Sequence, residues 1–181
     1  MNSATTLTGA AATDAAAVPP RTHRLLGTYI LLVLVAVIET FDGLSSAPIL
    51  FGDMPEIPGP GIGGAIVKAY VAGHPVLALA ALLLAAAGHV RYAIIVLGAF
   101  VIATWLNYMP SVLLHGFDFA GIAAFETTAQ MIAFPLMAAC AIALAARNRR
   151  LGLAAVLVSI PTLLGVFGVI AFAVDVAVRG F

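Results

Sequence analysis

The residues able to do chemistry are few, and most of them fall at helical spacing. Glu39 and Asp42 are three apart, Glu126 and Gln130 four apart, and Thr104, Asn107 and Ser111 follow at i, i+3 and i+7. Side chains three or four apart share one face of a helix. His74 stands beside Pro75, and His115 closes an apolar run. Three chemistries fit such a set. Imidazole with carboxylate can ligate a transition metal, and the residues for it would be His74, His115 and Glu126. His74 and His115 could instead hold a haem as a pair. Carboxyl groups kept from water and close together can retain and pass a proton, which points to Glu39, Asp42 and Glu126. The plainest role for the same residues is a hydrogen-bonded plug between helices. No Glu-x-x-His pair of the di-iron type occurs. The single cysteine, Cys140, excludes an intrachain disulfide and any cysteine-based metal motif.

The setting of these residues is strongly apolar. The 181-residue chain is 63% hydrophobic and 9% charged, against roughly 45–50% and about 25% for a soluble domain. Its mean hydropathy is +1.14. A soluble enzyme, a disordered protein and a nucleic-acid binder are thereby excluded, since a soluble fold of this size cannot cover so much apolar surface. The expected partner is the lipid bilayer, and the expected fold is all-α.

A membrane helix needs about 20 mostly apolar residues. Five segments satisfy this: about Leu25 to Ala47, Gly64 to Gly88, Tyr92 to Leu114, Ala120 to Ala146, and Leu151 to Val178. The basic turns at Gly88–Arg91 and Arg147–Arg150 are short, so each should join an antiparallel pair. The stretch from Gly52 to Gly64 holds three prolines and five glycines besides Asp53 and Glu56, and should be an irregular loop. Residues 1–20, rich in Ala, Thr and Ser, should form a disordered tail. The tail lacks the basic start of a signal peptide. The domain plan is therefore a cytoplasmic tail, 1–20, and a five-helix transmembrane domain, 21–181. Pro75, Pro135 and Pro161 fall inside spans and Pro110 near the end of one, where they should kink the helices.

Orientation follows from the bias of Lys and Arg toward cytoplasmic loops. Arg21, Arg24, Arg91, Arg147, Arg149 and Arg150 share one side with Asp14. The other side carries seven acids against Lys68 and Arg179, so the two halves hold +5 and −5. The N-terminus is expected inside and the C-terminus outside. The ionisable and amide groups Glu39, Asp42, His74, Asn107, Glu126 and Gln130 then gather in the outer half as a ligand- or ion-binding set. The acidic outer face suits a basic partner.

No P-loop or nucleotide motif is present, so ATP-coupled chemistry is not expected and a non-enzymatic role is favoured. The sequence points to a small multi-pass protein of the bacterial cytoplasmic membrane, an accessory or ligand- or ion-binding subunit of a larger membrane complex or a homo-oligomer. A proton-linked small transporter and a haem- or metal-binding redox protein are the alternatives.

Overall fold

A computed structural model of the chain describes residues 21–45, 61–117 and 122–180, and for residues 21–25 and 122–123 the backbone only. The tail 1–20, most of the Pro/Gly-rich loop with Asp53 and Glu56, and Asp118 lie outside the described residues. Those described form helices and no strand: α1 (Arg21–Ser45), α2 (Ile62–Ala86), α3 (Val90–His115), α4 (Ile122–Thr128), a π-helical turn (Ala129–Ala133), α5 (Phe134–Ala146) and α6 (Leu151–Arg179). Since α4, the π turn and α5 run on as one rod, five helical rods are long and apolar enough to cross a membrane. The second begins at Ile62 rather than near Gly64, its glycines having been drawn into the first turn.

The rods pack in sequence order into a closed ring: α1 on α2, α2 on α3, α3 on α5, α5 on α6, and α6 back on α1. Helix α3 also touches α1 and α6 across the middle. The turns after α2 and α5 lie side by side, because the Arg91 guanidinium donates to the Ala146 carbonyl at 2.9 Å. We call this the arginine end.

Among the described residues, the buried hydrophobic side chains lie between the arginine end and about the level of three buried polar residues, Glu39, His74 and Ser159. Alanine dominates this half; Ala81, Ala85, Ala141, Ala145, Ala154 and Ala155 are at most 1% exposed. Small side chains let backbones approach closely where lipid supplies no hydrophobic drive between helices. The closest approach is at Gly98, where a Cβ would stand 2.6 Å from the Ile142 side chain of α5. Toward the far end the packing loosens. Beyond Thr162, α6 is exposed around nearly all its circumference, with Leu164, Phe167, Ile170 and Phe172 uncovered.

Pro135 explains the π turn. It has no N–H to offer the carbonyl four residues back, which is that of Met131. The chain loosens there, with the Phe134 N–H reaching Ala129, five residues back. Trp105 on α3 then supplies the missing donor, its indole N–H lying 3.2 Å from the Met131 carbonyl oxygen. Trp105 thus joins α3 to the fourth rod at the π turn.

Trp105→Phe should lower unfolding free energy in detergent by about 1–3 kcal/mol, the usual cost of a polar group left unpaired. In a Pro135→Ala background the restored N–H can serve Met131, and the Trp105→Phe cost should shrink. An equal cost in both backgrounds would show that the indole bond does not compensate for the proline.

Candidate functional site: a carboxylate–imidazole group between α1, α2 and α6

Three helices build the group. Helix α1 presents Glu39 and Asp42 on one face, α2 presents His74, and α6 presents Thr162. Two prolines stand directly beside them, Pro75 after His74 and Pro161 before Thr162. Helices α1 and α2 meet almost backbone to backbone here: a Cβ on Gly43 would lie 3.1 Å from Pro75 Cα. Glycine at 43 is what lets the Asp42 carboxylate come down onto the His74 ring.

Glu39 is 8% exposed and His74 4%, while the Asp42 side chain is 67% exposed. The Thr162 hydroxyl donates a hydrogen bond to Glu39 Oε1 across 123 residues of chain. His74 Nε2 lies 3.6 Å from Asp42 Oδ2. That separation gives electrostatic attraction but exceeds a hydrogen bond, and Nε2 is buried without a hydrogen-bond partner. One ligand atom from each of Glu39, Asp42 and His74 falls within 4.8 Å of the others. The imidazole packs against two rings, stacked on Tyr70 at 5.2 Å and tilted against Phe100 at 4.7 Å. Tyr70 in turn donates to Thr104 at 3.4 Å, whose own hydroxyl proton goes to the Phe100 carbonyl oxygen at 3.1 Å.

Contacts between helices fix relative heights. Thr28 is level with Gly152, and Tyr29 with Ala86. Glu39 and Thr162 stand eleven residues from Thr28 and Leu151, so about 16 Å from the arginine end at ~1.5 Å per residue, and Asp42 lies a turn further along α1.

The polar residues do not form one set. Glu126 is exposed and accepts from Gln130 at 3.1 Å on its own helical face, beside a shallow cavity of about 140 Å³ lined also by Tyr108 and Ser111. His115 is exposed, its Nδ1 3.0 Å from the Ser111 carbonyl oxygen. It stands eleven residues beyond Thr104, about 16 Å above the Tyr70 level. A single ion, with ligands about 2 Å away, cannot bridge His74 and His115, so neither a shared metal nor a haem held by that pair fits this arrangement. Asn107 Oδ1 is buried and without a hydrogen-bond partner.

Sequence reasoning missed Thr162 and Tyr70. Both left a trace. Tyr70 is four residues before His74, and Thr162 three after Ser159, the only other hydroxyl in α6. Against the rest of α6 they look like incidental polarity; the partner across the bundle is what gives them meaning. No family model, no curated protein and no solved structure matches the chain. Its chemistry must therefore be argued from this geometry: two carboxyl groups and an imidazole, half sheltered, able to hold a cation or share a proton.

Thr162→Val keeps the volume and removes the donor to Glu39, so it should destabilise the folded chain by about 1–3 kcal/mol. Combined with Glu39→Leu the loss should be smaller than the sum, by 0.5 kcal/mol or more, as expected for residues in direct contact. Additive losses in detergent unfolding would deny that the bond is made.

Proposed function

We propose that the protein is a multi-pass subunit of the bacterial cytoplasmic membrane that holds a cation inside the bilayer, at Glu39, Asp42 and His74. One observation carries this: three ionisable side chains from two helices converge within 4.8 Å in a chain that is 9% charged. Ionisable groups within a span are costly, about 2.5–3.5 kcal/mol at a helix centre on insertion scales, and usually mark function. The arginine end is cytoplasmic by the charge bias of the turns, with the C-terminus outside. The uncovered far half of α6 supports a place in a larger membrane assembly, with other subunits or further copies. The acidic outer face suits a basic partner.

A proton-linked carrier is the second reading. What favours it is the pair of prolines flanking the site, Pro75 and Pro161, since each frees a carbonyl and loosens its helix just where substrate would cross.

Anything that binds only the folded state raises its stability. The thermal midpoint of the full chain in mild detergent should therefore rise with one cation from a panel of H⁺, Na⁺, K⁺, Mg²⁺, Ca²⁺ and Zn²⁺. The rise should disappear in Glu39→Gln. A midpoint indifferent to the whole panel would reject cation binding. In proteoliposomes, cation-driven proton movement abolished by Glu39→Gln would favour the carrier, and its absence with cation binding intact would favour the static subunit.

A further inference from the structure

We propose that Glu39, Asp42 and His74 form a three-ligand site for a divalent transition metal ion of the Zn²⁺ class, with its fourth position open beside the exposed Asp42 carboxylate. This rests on the cation-binding reading above and names the cation.

The sharpest observation is the imidazole. His74 is 4% exposed, yet its Nε2 has no hydrogen-bond partner and points at the Asp42 carboxylate. A buried ring nitrogen without a partner is unusual, because desolvation without a hydrogen bond costs about 1–3 kcal/mol. Its 3.6 Å separation from Asp42 Oδ2 is too long for a hydrogen bond. It is close to the ~3.4 Å that separates two ligands each ~2.1 Å from one tetrahedral ion. The separations within the trio, none above 4.8 Å, close by small side-chain rotations.

The donor set selects among cations. Two carboxylates and a neutral imidazole leave a divalent ion electrically neutral, which a low-dielectric site requires. Nitrogen disfavours Mg²⁺ and Ca²⁺, which take oxygen ligands, and suits Zn²⁺, Fe²⁺, Ni²⁺ or Cu²⁺. The surroundings resemble what a metal site needs beyond its ligands. Thr162 fixes Glu39 by hydrogen bond, and Tyr70 and Phe100 fix the imidazole plane; such supports tune affinity 10–100-fold. Three protein ligands with one open position define an exchangeable or reactive site rather than a closed structural one.

The test uses the full-length, untagged chain in mild detergent, stripped with chelator and titrated with Co²⁺, then competed with Zn²⁺. One equivalent should bind, with the visible absorption of a low-symmetry Co²⁺ site, and Zn²⁺ should displace it. His74→Gln and Glu39→Gln should weaken binding at least 10-fold, and Thr162→Val by about 10-fold, while His115→Gln and Glu126→Gln leave it unchanged. Binding that survives His74→Gln, or no saturable binding, overturns the proposal. Where a variant is not monodisperse, X-ray absorption of the Zn²⁺-loaded wild-type chain decides. One imidazole among oxygen ligands at ~2.0–2.1 Å supports the site, and a sulfur or multi-imidazole shell refutes it. If H⁺ or Na⁺ but not Zn²⁺ stabilises the chain, the metal is wrong and cation binding stands; if no cation does, both fall.

Discussion

Glu39 has to be held by polar partners, since a carboxyl group buried among apolar helices is tolerated only with hydrogen bonds or a counter-charge. The bundle is organised around that need. Helix α6 supplies the Thr162 hydroxyl, and α2 brings His74 to Asp42 one turn along α1. These contacts tie the first, second and fifth rods together at one height. It is also the height at which the close-packed half ends. Below it, alanine pairs bring helices together; above it, the described residues leave most of α6 uncovered.

The two halves differ for a physical reason. Helices in lipid associate through close packing rather than through aversion to solvent. The arginine-end half has the small residues that allow this, together with Gly98 against Ile142. Between Leu163 and Val174 the far half of α6 carries Leu164, Phe167, Ile170 and Phe172 on several faces, and such an apolar stretch suits cover by lipid or by another protein.

Proline adds a second kind of constraint. Pro135 leaves the Met131 carbonyl without its helical donor, and the Trp105 indole restores one from a neighbouring helix. Pro75 and Pro161 instead abut the carboxylate–imidazole group. At Pro75, the facing residue is Gly43, whose missing side chain allows the two backbones to touch. One residue type thus locks one part of the bundle and shapes the site in another.

The amino-acid sequence by itself determined five long apolar helices, the basic turns between them and the shared face of Glu39 and Asp42, because these follow from hydrophobic length, local charge and 3.6-residue periodicity. It also singled out His74. Which polar residues meet was decided only by the tertiary structure. Glu39 and Thr162 are 123 residues apart, and no local pattern encodes a contact between helices whose order around the ring is unknown. The same ring separates Glu126 and His115 from His74, though all three share the side-chain chemistry of a metal site. Relative height, too, awaited the packing. Charge bias assigns sides to loops, but only interhelical contacts set the levels of the rods, and they bring Glu39 on α1 level with Thr162 on α6.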